Sequence, residues 1–557
     1  MAMAERHMAA TFNEKSFNVF DNYTYVLCGD GCLQEGVSGE ACSLAGHLGL
    51  GRLIVLYDDN SITIDGDTSL SFTEDVLKRY EAYGWHTQTV TDAESSIGNL
   101  RSAVEAARKV TDKPSIIKIK THIGFGSPSK QGLEAAHGAP LGVEDLAGAK
   151  KFYGLPEDKS FYVPSDVKKY FTDAAARGDA KRKEWEKVFA SYTEKYPEKA
   201  SEISRRFANK LPEGLLAKLP VSEAGKNNMA TRKHSQACLS AIGPNMMDLI
   251  GGSADLTPSN LTHYKSLTDF QKGSYDGRYF RFGVREHGMI AITNGMFAYG
   301  GVRPYCATFL VFTGYAMGAM RLSALSRFGV IFVMTHDSIG LGEDGPTHQP
   351  IETLETLRSM PNMNVFRPAD GNETSAAYKV ALEQHTTPSV ICCSRSTLPN
   401  LEQSTIEKAC KGAYAAIECA APALILVATG SEVGPTVEAA ATLAKKGVPT
   451  RVVSMPCQEL FLAQSQEYQQ SILPGNVPTL SVEAAAVHGW HRFSHAQIGM
   501  TGFGASGNGA ALMEHFGFTA ANITSKGMEL VEFYKKAGGA VPNLSLRPVF
   551  AAAASLH

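Results

Sequence analysis

The sequence predicts an α/β protein of three consecutive domains, each built on a parallel or mixed sheet. Three observations carry that expectation. First, residues 23–28, 53–57 and 115–119 read as short apolar strands, and residues 39–48 and 100–110 between them as helices. Such alternation calls for a parallel sheet with helices on its faces. Second, residues 174–219 are dominated by charge and hold no strand pattern, so they read as surface helices and a connection. Third, the alternation resumes twice: buried strands are expected at 329–334 and 389–393, then at 423–428, 450–454 and 479–482, with helices at 432–445 and 510–516. Domains are therefore expected at 1–195, 196–411 and 412–557.

Composition narrows the class. A chain of 557 residues is too long for one core, and 44% hydrophobic with 20% charged residues is ordinary globular usage. The formal net charge of -3 gives no reason to expect nucleic acid or a membrane surface as partner. The apolar stretch 304–320 contains Pro304, Gly314 and Gly318 and runs into Arg321, so it reads as protein interior, short of the roughly 20 apolar residues of a span. The 10 cysteines, including Cys28, Cys32 and the adjacent Cys392 and Cys393, lack the paired spacing of a zinc site and read as reduced thiols. The chain is helix-forming from its first residues, and Glu5, Arg6 and His7 break any signal-peptide core. Ser555-Leu556-His557 shares only its serine with the peroxisomal tripeptide Ser-Lys-Leu. A cytoplasmic location is expected, with a peroxisome-like organelle as the alternative that the C-terminal tripeptide leaves open.

Two strand ends carry the first chemical signal. Gly29-Asp30-Gly31-Cys32-Leu33-Gln34-Glu35-Gly36 follows one strand, and Asp58-Asp59-Asn60-Ser61-Ile62 closes the next. In a parallel sheet both open at the carboxyl edge, where ligands bind. Asp30 and Asn60 can there meet a hard cation that shares its oxygen ligands with a phosphate. Gly29 and Gly31 allow a tight turn and a close backbone approach.

A second signal is Arg281-Phe282-Gly283-Val284-Arg285-Glu286-His287, which closes a strand and opens an apolar helix. Glu286 there is either a helix-dipole residue or a placed acid. Phe309, Phe312 and Tyr315 recur at every third position, as a core stripe or as a stacking surface for a flat ring. A third is the Gly-rich loop 335–350, with His336, Asp344 and His348 after a buried strand, where functional side chains concentrate. Arg232 and Arg395 have the fork geometry that suits a phosphate. Asp255 and Ser259 lie in the segment 251–260, and His137 in Ala136-His137-Gly138-Ala139-Pro140-Leu141.

In this order, over essentially the whole chain, these segments resemble the transketolases. The resemblance implies two thiamine-diphosphate-binding-fold domains, one for the diphosphate and one for the pyrimidine, followed by a C-terminal transketolase-type domain. It implies thiamine diphosphate with Mg2+ or Ca2+, the metal held by Asp30, Asn60 and the backbone carbonyl of Ile62. Gly29, Gly31, Ile123, Asp255, Phe309, Phe312 and Tyr315 would contact the cofactor, and Glu286 would govern protonation of its aminopyrimidine ring. Arg232, Ser259, His336 and Arg395 would hold the substrate phosphate and Asp344 a sugar hydroxyl, while His137 and His348 would assist proton transfer. It also implies a homodimer with active sites at the subunit interface, Asp30 and Glu286 of one site coming from different chains. The expected reaction moves a two-carbon ketol unit from a ketose phosphate such as xylulose 5-phosphate to an aldose phosphate such as ribose 5-phosphate or erythrose 4-phosphate, in the pentose phosphate pathway.

Two departures bear on this. Transketolases carry a further segment ahead of the helix where this sequence starts, so the first domain is expected to be incomplete, with a cofactor site open to water. Ser396 follows Arg395 where the family commonly has Gln. Two alternatives follow: a transketolase-like chain that dimerises but turns over little, or a related ketol transferase such as dihydroxyacetone synthase or 1-deoxyxylulose-5-phosphate synthase. Finally, Gly502-Phe503-Gly504-Ala505-Ser506-Gly507 has dinucleotide-loop spacing, but residues 498–501 look too short and glycine-broken for the strand that motif needs, so it reads as a structural turn.

Overall fold

The computed structural model describes residues 1–546 and divides into two compact units. The tripeptide 555–557 lies outside the described residues.

The first unit comprises Met1–Ala208, Asp269–Gly277 and Tyr299–Gly301. It opens with the helix Ala2–Phe12, which no side chain caps. Its sheet has strands β1 (Thr24–Gly29), β2 (Leu53–Asp59), β3 (His86–Val90) and β4 (Ser115–Lys120), parallel throughout in the order β1-β2-β4-β3. Ile54, Ile116 and Ile117 are fully buried, as β-branched residues in a covered parallel sheet should be. β1 is an edge strand with Tyr25, Val26 and Leu27 exposed, Leu27 at 80%. The charge-rich stretch forms the helices Ser165–Lys195 and Pro197–Phe207, Pro197 taking the first-turn position where its missing N–H costs nothing.

The second unit comprises Asn209–Thr268, Arg278–Ala298 and Val302–His557. It holds two large sheets. One contains β5 (Leu249–Ser253), β6 (Tyr279–Arg281), β7 (Arg303–Phe309), β8 (Ile331–Thr335), β9 (Asn364–Phe366) and β10 (Ser389–Cys393), all parallel, in the order β9-β10-β8-β7-β5-β6. The other contains β11 (Tyr414–Ile417), β12 (Leu424–Ala428), β13 (Thr450–Ser454), β14 (Thr479–Ala486) and β15 (Ala496–Met500), in the order β11-β13-β12-β14-β15, with only β11 antiparallel.

β15 corrects the reading of residues 498–501: a strand does precede the Gly502 run, and the helix Gly509–His515 follows it. Gly499 permits the strand because a Cβ there would come within 2.5 Å of Val487 and 2.9 Å of the Ala485 carbonyl. The glycine that looked like a breaker is a close-packing device.

Among the described residues no helix is long and apolar enough to cross a membrane. The stretch 304–320 is split between buried β7, the 3-10 helix Leu310–Ala316 and the helix Met317–Leu325. All 10 cysteines are free thiols.

Candidate functional site

In the first unit β1 and β2 end side by side, with Gly29 in register with Asp58. Asp30 begins the helix Asp30–Gln34 and is 3% exposed. Its Oδ1 accepts from the Tyr57 hydroxyl at 2.5 Å and its Oδ2 from the Ser61 amide at 3.1 Å. Burial is the main influence on this carboxyl and raises its pKa, the Tyr57 bond working against it. Asn60 Oδ1 accepts the Ile62 amide at 3.0 Å, and Ser61 has a φ of 62°. The turn thus brings a carboxylate, an amide oxygen and main chain to one strand edge. That donor set is all oxygen, and a bound cation would offset the burial of Asp30, so the residues fit a hard divalent ion. Sequence reasoning did not find Tyr57 or Ser61, because both read simply as strand and turn residues.

Ile123 and His137 lie on two neighbouring loops of the same unit. The Gly132 amide donates to the Ile123 carbonyl at 2.8 Å. Gly124 has a φ of 63°, and a Cβ on it would sit 2.9 Å from that of Ala136, so glycine is required where the loops cross. His137 is exposed.

In the second unit the expected residues gather at the carboxyl ends of one sheet. Asp255 and Ser259 follow β5, Glu286 follows β6, Phe309 ends β7, His336 follows β8 and Arg395 follows β10. Arg232 joins them because the Thr231 amide donates to Ser394 Oγ at 3.0 Å. Glu286 is the first residue of the helix Glu286–Tyr299 and is buried, 8% exposed.

The aromatic stripe has a conformational cause. Residues Leu310–Ala316 form a 3-10 helix, in which every third side chain eclipses. Phe309 and Phe312 stack at 5.7 Å and 16°, and Phe312 lies 6.0 Å from Tyr315. Phe309 is buried while Tyr315 is 70% exposed, so the stripe runs from core to surface, an arrangement on which a flat ring could stack. His348 sits edge-on to Phe312 at 5.3 Å, its Nδ1 hydrogen-bonded to Thr347 Oγ1 at 2.9 Å.

His336, 3% exposed, holds a φ of 62° and lies 3.8 Å from the Phe309 ring. Burial, then the nearby Arg232 and Arg395, push its pKa down to about 3. The imidazole is therefore neutral, held so by burial and by the charges of the two guanidiniums. Arg232 Nη1 donates to the Ser259 carbonyl at 2.8 Å, and its Nε is buried without a partner. Arg395 Nη1 donates to the Leu341 carbonyl at 2.8 Å. Two cationic forks beside a neutral hydrogen-bonding ring, one fork with an unused N–H, suit a phosphate dianion. Asp344 is exposed on the loop between His336 and His348.

The Gly502 run closes on that same loop. Gln349 Nε2 donates to the carbonyls of Gly342 and Ala505 at 3.0 and 2.9 Å. A Cβ on Gly504 would lie 1.9 Å from Gln349 Oε1. At Gly504 the glycine serves close contact between protein segments.

Comparison with known proteins identifies the family. Family models match three stretches: the transketolase thiamine diphosphate binding domain at 1–212, the transketolase pyrimidine binding domain at 227–400, and the transketolase-like C-terminal domain at 412–519. Fold and site therefore define an enzyme that uses thiamine diphosphate with a divalent metal. The chain belongs to the transketolase family, enzymes that transfer a two-carbon ketol unit between sugar phosphates. It is 51% identical over 542 residues to transketolase 1 of Saccharomyces cerevisiae, covering 96% of this chain and 80% of that protein. A crystal structure of Pichia stipitis transketolase with sedoheptulose 7-phosphate matches with a TM-score of 0.96 and 49% identity, over 99% of this chain and 82% of that one. Transketolase from Leishmania mexicana matches with a TM-score of 0.95 and 48% identity, over 98% and 81%.

Proposed function

We propose that this chain transfers a ketol unit from xylulose 5-phosphate to ribose 5-phosphate or erythrose 4-phosphate, as a cytoplasmic homodimer with domains 1–195, 196–411 and 412–557. The observation that supports the substrate class is the buried, unpartnered Nε of Arg232 at the sheet end that also carries Arg395 and the neutral His336, a donor set that suits a phosphate dianion. In this reading Asp30, Asn60 and the Ile62 carbonyl hold the metal, and Gly29, Gly31, Ile123 and Asp255 approach the cofactor. Phe309, Phe312 and Tyr315 seat its pyrimidine ring. The bound cofactor supplies an electron sink for cleaving and forming carbon–carbon bonds. Glu286 holds a proton at its carboxyl against the pyrimidine and so controls the charge of that ring. Arg232, Ser259, His336 and Arg395 orient the sugar by its phosphate, and Asp344 reads a hydroxyl near the reacting carbons. His137 and His348 move protons on the substrate oxygens. Each site takes Asp30 from one protomer and Glu286 from its partner.

The test is a coupled assay with xylulose 5-phosphate, ribose 5-phosphate, thiamine diphosphate and Mg2+, paired with sedimentation. The expected result is dimeric protein whose turnover is lost in Glu286→Ala while cofactor binding persists. Cofactor binding without turnover in the unaltered protein, or turnover only with unphosphorylated acceptors, would sink this reading.

A further inference from the structure

His336 takes a backbone conformation that residues with a Cβ adopt sparingly, and it does so while buried. Its ring accounts for part of the hold: Nδ1 shares a 2.8 Å hydrogen bond with Thr335 Oγ1, which also accepts from Asn260 Nδ2 at 2.8 Å. The next residue does more. Asp337 is 3% exposed, and its Oδ2 accepts from Arg367 Nε at 2.9 Å. Arg367 is fully buried. Its Nη1 donates to the carbonyl and hydroxyl of Thr429 at 3.3 and 3.0 Å and to the Glu432 carboxylate, and its Nη2 to Ser431 Oγ at 3.2 Å.

Those partners are themselves fixed. Glu432 Oε2 accepts the Ala484 amide at 2.9 Å. Glu483 accepts two 2.8 Å bonds from Arg358, one from Trp490 Nε1 at 2.8 Å and one from the Thr429 hydroxyl at 2.5 Å. The main chain doubles the link: the Arg367 amide donates to the Pro456 carbonyl at 2.8 Å, and the Gly430 amide to the Arg367 carbonyl at 3.1 Å. Thr429 and Glu432 follow β12, and Glu483 lies on β14. One guanidinium therefore ties the C-terminal sheet to the residue beside His336.

We propose that Asp337 and Arg367 are positioning residues, through which the C-terminal sheet fixes the backbone of His336 and so the place of its imidazole at the substrate phosphate. This rests on the phosphate reading of His336. A planar guanidinium held by several fixed acceptors sets direction as well as distance, which a lysine does not. Removing one partner of a buried pair leaves the other charge uncompensated, so the strand end must shift or hydrate.

The test uses the full chain and reads two quantities: the dissociation constant of ribose 5-phosphate by calorimetry, and KM for xylulose 5-phosphate against that for hydroxypyruvate, a ketol donor without phosphate. His336→Ala and Asp337→Asn should each weaken ribose 5-phosphate by about tenfold, the size of one charge-assisted hydrogen bond, and Asp337→Asn should leave KM for hydroxypyruvate unchanged. The double variant should be no weaker than either single one, since both changes remove the same contact. Arg367→Lys and Glu432→Gln should follow in the same direction, and Arg367→Lys carries the test if Asp337→Asn does not fold. Folded Asp337→Asn with unchanged ribose 5-phosphate affinity, an additive double variant, or an equal loss with hydroxypyruvate would each overturn the inference. If His336→Ala itself leaves the affinity unchanged, the phosphate reading fails and takes this inference with it. If only Asp337→Asn is silent, the positioning role alone fails.

Discussion

The imidazole of His336 lies against the ring of Phe309, centroids 3.8 Å apart and planes inclined by 33°. A protonated imidazole there would lose its solvation and meet the positive charge of Arg232 and Arg395, which is why its pKa falls to about 3.

A stability prediction follows from that depression. The folded chain keeps His336 neutral down to about pH 3, while the unfolded chain takes up a proton near the ordinary imidazole value of 6.5. The stability linked to this group is complete above pH 6.5 and is lost as pH falls toward 3. At pH 5 the loss is about 2 kcal/mol. Denaturant unfolding of His336→Asn should decline less between pH 7 and 5 than that of the unaltered protein. Parallel declines would refute this.

The Tyr57 hydroxyl donates to the carboxylate of Asp30, the proposed metal ligand. Tyr57→Phe should weaken divalent-ion binding by about tenfold or more, the usual effect of losing a ligand's outer partner. Equilibrium dialysis of Mg2+ in the presence of thiamine diphosphate measures it, and an unchanged affinity would show that Asp30 needs no such support.

The aromatic platform should separate binding from stability. Tyr315 is exposed, so Tyr315→Ala should change stability by less than about 0.5 kcal/mol. It should nonetheless raise the dissociation constant of thiamine diphosphate by roughly tenfold through lost stacking. Phe309→Ala, at a buried position, should cost about 3 kcal/mol of stability. Cofactor titration by fluorescence, with thermal unfolding of each variant, distinguishes the two.

A side chain at Gly504 must displace Gln349 from between Gly342 and Ala505. Gly504→Val should destabilise the protein by about 1–3 kcal/mol through overpacking and lower activity by loosening the loop that carries Asp344 and His348. NADH should not shift the melting temperature of the unaltered protein. A clear shift would reopen the dinucleotide reading.

Much of the fold was legible because buried parallel strands are written as unbroken apolar runs: Ser389–Cys393 and Thr450–Ser454 have the bounds expected of them. β15 was not, since Gly499 breaks the pattern for a reason visible only from Val487 and Ala485 across the sheet. The repeat of Phe309, Phe312 and Tyr315 was legible but not its cause, as a spacing of three fits an α-helix or a 3-10 turn. Asp30, Glu286 and His336 stood out because they follow strands. Tyr57, Asp337 and Arg367 did not, because their partners are 27, 30 and 65 positions away in the chain.

In the larger sheet the rigid part and the chemically active part are separated along each strand. β8 and β10 are wholly buried, while His336 and Arg395 hang just beyond their last residues. Exchanges and insertions at those tips can alter which sugar is accepted without disturbing the layers beneath, so a lineage built on this scaffold is free to diversify in substrate while its interior stays nearly constant.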